Sequence, residues 1–518
     1  MQHPPVSVFG LGGDALAAPE NTIVAYWAAL GGGATGFATG VRLSKDDVVV
    51  CSNHDDFGPT CGDARKVAEL DWGEIVGLDA GSTFRSTVLN SDHQPTGEAG
   101  TDRPWLGNLP KKRALHVPRL SEVLKLFARR CDIIIVLSED NARLAEKTLA
   151  ELQHFGVLNR VLLACPLKLC ESLANEAPSA RRILIADPDK APAEQLALAK
   201  DLGAEALHLD WDSACPSGTA GVFFQPDLKA ALETSDLQLF LGSDAMPFAA
   251  TPMHFAAIAG IKGIAGIVAR GVLPTVDAVT PASLIVWDRF EGTRIDRSTW
   301  SAGYSHANQD TEIFQNYGLH IKIKQGGSYS GAAAVCVLPV HGRFDAHTGF
   351  HVSNPGQATT FELAAICIEP GYHRIDNSDL DSRRVNLTFD VHGTPPYASS
   401  ERDEDDGFRC GWNNGFNLTR IDDDWTASSV NMYNKYGRDV GNGAADNPEG
   451  RLRLTRNAQV FSCYYTDKNN AAWVCSGAML VQNMADDVYL RLAAKHWSKG
   501  GTPPENHVRF RDFRLYQF

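Results

Sequence analysis

One histidine and a scattered set of carboxylates are the residues of this chain best suited to chemistry. His54 and Asp55 directly follow a short apolar run at residues 48–51. Asp14 follows the first apolar run, and Glu139 follows the run at 133–137. Asp210 and Asp212 flank Trp211 after the run at 206–209, and Asp244 follows the run at 237–241. An imidazole beside carboxylates can move protons without a metal. Paired carboxylates also serve glycosyl transfer or hydrolysis, and an indole beside them can stabilise a cationic intermediate. His54, Asp210, Asp212 and Glu139 are therefore the catalytic candidates, and Trp211, Asp55, Asp14 and Asp244 the substrate-binding ones. Each loop aspartate has a second reading, as the cap of the helix that follows. His54 and Asp55 have one too, as a structural hydrogen-bonded pair. The chain has no nucleophile elbow, Walker loop, paired CxxC or HExxH motif.

These residues need elements to position them. Up to about residue 275, short apolar runs alternate with helical patterns such as 21–30, 120–130, 142–153 and 192–202. That alternation predicts a parallel sheet. Nine candidate strands over this length, including 48–51, predict a closed (β/α)8 TIM barrel, in which the site lies at the C-terminal ends of the strands. Beyond about residue 281 helical patterns nearly vanish. Short alternating segments such as 319–323 and 361–367 take over, separated by turns rich in Gly, Asn and Asp. This pattern predicts an all-β sandwich. The chain is read as two domains, 1–278 and 279–518: a multidomain α/β plus all-β protein.

Several stretches of the first half, taken in order, resemble the glycerophosphodiester phosphodiesterases. Ala18-Pro19-Glu20-Asn21-Thr22 is similar to that family's PENT element, and His54-Asp55 to its strand-ending His-Asp. Residues 77–84, 117–124 and 263–268 are similar to its LDAGS turn, its IPTLEEVL helix start and its closing GVDGII strand. The resemblance implies a phosphodiesterase barrel with a divalent cation held by two carboxylates on the second strand and one on the fourth, and two histidines as acid and base. In this chain the first histidine's place is taken by Leu11 and the second-strand carboxylates by Ala38 and Gly40. The fourth-strand carboxylate falls near Leu137, and His54 remains. A hard cation needs several anionic oxygens, which these side chains lack, so no metal and no cofactor is expected.

The second half resembles concanavalin-like sandwiches of the jelly-roll kind, through Trp287-Asp288-Arg289-Phe290 and Trp300, a middle segment at 344–350 and a closing one at 508–515. That fold hosts lectins, glycosidases and plain structural modules, and cannot choose among them. Trp412, Asn413, Asn414, Trp425, Tyr433 and Tyr436 are candidates for a sugar-binding face, or equally for core filling.

Composition narrows the partners. The 518 residues carry a net charge of -14, which gives no basic footprint for nucleic acid. No apolar run is long enough for a membrane span. Eleven cysteines, thinly spread, read as buried thiols of a reducing compartment, and a cytoplasmic location is expected unless a leader was removed. The expected function is metal-independent acid–base chemistry (a lyase, cyclisation or hydrolysis step) on a small organic or sugar-derived substrate. One alternative is a catalytically dead barrel with a carbohydrate-binding sandwich. Another is a phosphodiesterase with altered metal ligands, such as Glu20, Glu139 and Asp210.

Overall fold

The computed structural model describes the chain apart from residues 1–5, 85–86, 90–94, 99–114, 138, 215–223, 243–260, 281, 305–310, 325–330, 355–358, 368–396, 404–406, 414–431, 435–447, 468–469, 482–483 and 497–503. It divides into two compact units, one of Met1–Gly97 with Ala114–Pro281, the other centred on Ala282–Phe518.

The first unit is a ring of eight parallel strands. In order round the ring they are Ser7–Leu11, Gly36–Leu43, Asp132–Val136, Leu162–Cys165, Arg181–Ile185, Ala206–Asp210, Gln238–Gly242 and Ile264–Ala269. The ring closes because the first strand pairs with both the second and the eighth, Phe9 opposite Gly36 on one side and Val268 on the other. Alternate residues of each strand point inward. Phe9, Ala38, Ile134, Ala164, Ala206 and Phe240 are among those filling the interior, with Leu11, Val136 and Ile185 packed on top. Strands buried on both faces read as continuous apolar runs, which is why they were visible in the sequence.

One expected stave is absent from the ring. Val49–Cys51 runs antiparallel to the second strand, with Cys51 opposite Val41, and forms a hairpin outside the barrel. A three-residue apolar run looks the same whichever partner it pairs with. Outside the ring, Thr22 caps the first helix, Ile23–Gly31, by accepting from the Ala25 N–H at 3.2 Å. Tyr26 of that helix stacks on Phe37 of the second strand with ring centroids 4.0 Å apart.

The second unit is built of strands in two antiparallel sheets. The first sheet runs Thr311–Gln315, Leu319–Ile323, Asn506–Gln517, Phe344–Val352, Glu449–Asn457, Val460–Asp467 and Asn470–Leu480, with Ser283–Asp288 also paired to Asn506–Gln517. The second is centred on Asp487–His496, flanked by Gly331–Cys336 and Thr359–Ile366. Phe350 of the first sheet meets Phe361 of the second at 4.8 Å between ring centroids. Between them lies apolar core, and within the second sheet a buried ion pair joins Arg491 to Glu362. The side chains of Trp412, Asn413, Asn414, Trp425, Tyr433 and Tyr436 lie outside the described residues.

The cysteines depart from the expectation of thiols throughout. Eight described cysteines are free, but Cys463 is disulfide-bonded, and the other half of that bridge is not among the described side chains. No helix among the described residues is long and apolar enough to cross a membrane.

Candidate functional site

The site is assembled by the turn that follows the first barrel strand. Gly12 and Gly13 both take positive φ, 68° and 87°. A Cβ on Gly13 would lie 2.4 Å from the Ala25 backbone, so this turn requires glycine. The Gly12 N–H donates to the Ala38 carbonyl at 2.8 Å, and Gly12 in turn accepts from the Asn21 N–H at 2.8 Å. These bonds lay residues 19–22 across the ends of the first two strands. Asn21 itself sits at φ 54°, a conformation its short amide tolerates. Its Oδ1 accepts from the Thr39 hydroxyl at 3.0 Å, and that hydroxyl lies 2.8 Å from the Tyr26 hydroxyl. Fixed on both sides, the turn presents Glu20.

Glu20 is the centre of the charged cluster. Its Oε1 is 2.8 Å from His54 Nε2, and its Oε2 is 3.2 Å from Arg270, just beyond the eighth strand. The carboxylate is 8% exposed and the imidazole 35%. Burial pushes the Glu20 carboxyl up, but the hydrogen bond from His54 and the charges of Arg270 and His54 outweigh it and leave it below its ordinary value. The His54 loop is held by its own backbone, since the Ser52 hydroxyl donates to the His54 carbonyl at 2.8 Å and accepts from the His54 N–H at 3.2 Å.

A second ion pair lies beside it. Arg42, two residues beyond Gly40 on the inward-facing side of the second strand, pairs with Glu139 and donates to the Asn53 carbonyl at 3.1 Å. Asn53 also accepts from the Gly40 N–H through Oδ1 at 2.8 Å. A Cβ built on Gly40 would stand 2.6 Å from both that oxygen and the Ser52 carbonyl. The neighbouring inward positions, Leu11, Ala38 and Val136, belong to the apolar interior.

The other residues singled out in the sequence are dispersed. Asp55 turns to solvent and pairs with Lys66 at 3.5 Å. Asp14 is buried within the first turn, where its N–H donates to the Ala25 carbonyl at 2.9 Å. Asp210 ends the sixth strand and is exposed, while Trp211, which follows, is buried. The Asp212 side chain and all of Asp244 lie outside the described residues. A cleft of about 380 Å³ opens instead beside the ends of the fourth and fifth strands, lined by Leu167, Lys168, Ile185, Asp187 and Lys190 among others.

Three residues were not singled out: Arg42, Arg270 and His208. His208 lies two residues before Asp210 and two after the interior Ala206, so strand alternation places it inward. Its Nε2 would stand 2.8 Å from a Cβ on Gly242, and burial pushes its pKa down to about 4. Alternation counted from Ala38 and Ala206 was the available signal for Arg42 and His208. Nothing local marks Arg270. Among the described residues, no group of three or more His, Cys, Asp or Glu is gathered as a metal site.

Comparison with known proteins agrees with the barrel. Residues 10–209 match the model of the glycerophosphoryl diester phosphodiesterase family. A glycerophosphodiester phosphodiesterase of Bacillus altitudinis is 26% identical over 151 residues, which make up 28% of this chain and 52% of that protein, so the match spans about half the relative's length. Crystal structures of a glycerophosphodiester phosphodiesterase from Agrobacterium tumefaciens str. C58 and a putative one from Galdieria sulphuraria align at 19% and 11% identity. They cover 52% and 54% of this chain and 100% of theirs, with TM-scores of 0.38 and 0.41. The N-terminal half of this chain carries a domain of the glycerophosphoryl diester phosphodiesterase family.

Proposed function

We propose that the barrel is an enzyme doing metal-independent acid–base chemistry at its mouth on a small organic or sugar-derived substrate. The observation that carries this reading is the 2.8 Å contact between His54 Nε2 and Glu20 Oε1, with Arg270 on the other oxygen. A carboxylate bound to one ring nitrogen fixes the tautomer, so the neutral ring donates at Nε2 and carries its basic lone pair at Nδ1. When that nitrogen takes a proton, Glu20 stabilises the imidazolium, and Arg270 keeps Glu20 ionised. Asp210, on the inward side of the sixth strand above neutral His208, is the candidate partner acid.

The residues where the family resemblance locates a cation do not fit one. Ala38, Gly40 and Leu137 offer no side-chain oxygen, and crowding by Ser52 and Asn53 leaves position 40 without room for a carboxylate. Glu20 and Glu139, candidates for an altered metal set, are engaged by Arg270 and Arg42. The test is turnover of glycerophosphocholine and a panel of sugar and organic phosphates, with and without EDTA, by wild type and His54→Ala. EDTA-insensitive turnover lost in the variant supports the reading. Turnover abolished by EDTA sinks it.

A second reading is a ligand-binding barrel without turnover. It is favoured by the apolar packing of Leu11, Val136 and Ile185 on the interior cluster. In the strand-rich unit, the two antiparallel sheets meeting across Phe350 and Phe361 support the concanavalin-like sandwich as a proposal.

A further inference from the structure

An imidazole stands inside the barrel among apolar side chains. Register sets His208 of the sixth strand beside Ile185 of the fifth and Phe240 of the seventh. Phe240 belongs to the interior cluster, Ile185 packs on it, and Ala206, two residues before His208, is part of it. The strand neighbours Leu207 and Leu209 point the other way and are fully buried, at 0% and 1% exposure. His208 is only half-buried. Its open surface therefore faces the lumen and not the surrounding helices.

The seventh strand leaves room for the ring. A Cβ on Gly242 would lie 2.8 Å from His208 Nε2 and 3.0 Å from Val268, so a side chain there would displace the imidazole. The His208 carbonyl accepts from the Ala186 N–H at 2.9 Å, which satisfies the sheet. The ring itself is bonded to nothing among the described residues. A polar side chain that has given up part of its water and gained no protein partner calls for an explanation. In the lumen of a barrel, a ligand supplies one.

The surroundings also decide what kind of ligand group fits. Burial alone pushes the His208 pKa down to about 4, with no charged neighbour contributing. At neutral pH the ring thus offers one N–H donor and one lone pair. A phosphate, carboxylate or ammonium placed against it would lose water with no opposite charge in return. A hydroxyl fits, because it both donates and accepts.

We propose that His208 is the recognition residue for an uncharged hydroxyl of a sugar or polyol, which enters the lumen ahead of the reacting end. This inference rests on the reading of the mouth as a substrate site, and names the part of the substrate that lies deepest.

The experiment is labelling of the full chain by diethyl pyrocarbonate at pH 7, which carbethoxylates accessible uncharged imidazoles, with His208 followed by peptide mass spectrometry. Xylitol or D-glucose should slow labelling of His208 by about tenfold or more, and sodium phosphate should leave it unchanged. By calorimetry, His208→Phe should bind the protecting polyol or sugar about tenfold or more weakly, and His208→Gln, which keeps a donor and an acceptor, within about threefold of wild type. The labelling result stands on the wild-type chain even if His208→Phe fails to fold. No protection by xylitol or D-glucose, equal protection by phosphate, or wild-type affinity in a folded His208→Phe overturns the proposal. Protection with no turnover across the substrate panel would support this site while removing the enzyme reading. Turnover with His208 unprotected would do the reverse.

Discussion

His54 Nε2 lies 2.8 Å from Glu20 Oε1, which joins two motifs more than thirty residues apart into one hydrogen-bonded pair. The pair is asymmetric. The carboxylate is buried and clamped, and the imidazole is the more open partner. If this pair drives turnover, Glu20→Gln should lower kcat by about 10- to 1,000-fold while leaving KM within about threefold, since removing the carboxylate affects the protonated ring more than the bound substrate. Steady-state kinetics on whichever substrate the panel identifies decides it, and an unchanged kcat would remove Glu20 from the mechanism.

Glu20 also ties stability to pH. Its folded-state pKa lies below the ordinary 4.5, so its contribution is fully present above that value and is lost as pH falls through the lower folded-state value. Thermal melts from pH 6 down to pH 3 should show a steeper acid limb for wild type than for Glu20→Gln. Parallel curves would show that the cluster adds nothing to folding.

His208 acts in a different window. Its pKa falls from 6.5 to about 4 on folding, so between those values the unfolded chain takes up a proton that the folded chain refuses. Stability is therefore complete above pH 6.5 and declines as pH drops toward 4, by at most about 3 kcal/mol at 1.36 kcal/mol per unit. Urea titrations at pH 7 and pH 4.5 should show this loss in wild type and a smaller one in His208→Gln.

Position 40 tests the geometry of the mouth. Gly40→Asp forces a Cβ against the Ser52 carbonyl and should destabilise the barrel by about 1–3 kcal/mol. The same variant should show no thermal stabilisation by Mg2+ or Ca2+. A variant as stable as wild type, or one stabilised by either ion, would show that the Asn53 loop yields readily.

In the strand-rich unit, Glu362→Ala removes a carboxylate partner from the buried Arg491. The cost should be about 3–5 kcal/mol in the unfolding of that unit, with much of it recovered when Arg491→Met is added. Denaturation of the two variants by urea, followed by circular dichroism, measures both numbers.

The sequence revealed those parts of the fold that rest on local pattern. All eight staves announced themselves as apolar runs, but so did residues 48–51, because a run records burial and not its partner. Thr22 and Asn21 were legible as a helix start. Glu20 and His54 were legible as motif residues, though nothing in either motif says that they touch. Arg270 carries no local signal, since it reaches Glu20 only because the eighth strand lies beside the first. Arg42 and His208 were in plain view by alternation from Ala38 and Ala206. Both lie within their strands, whereas the motif residues lie beyond the strand ends. In the second unit the strands were visible, but their order was not, because antiparallel neighbours such as Ser283–Asp288 and Asn506–Gln517 come from opposite ends of that region.

The Glu20–Arg270 contact also sets when the site can exist during synthesis. Its carboxylate is made 250 residues before its guanidinium, which follows the last barrel strand. A nascent chain holding seven staves carries both motifs but has neither a closed ring nor a clamped carboxylate. The Glu20 clamp thus forms in the same event that seals the ring.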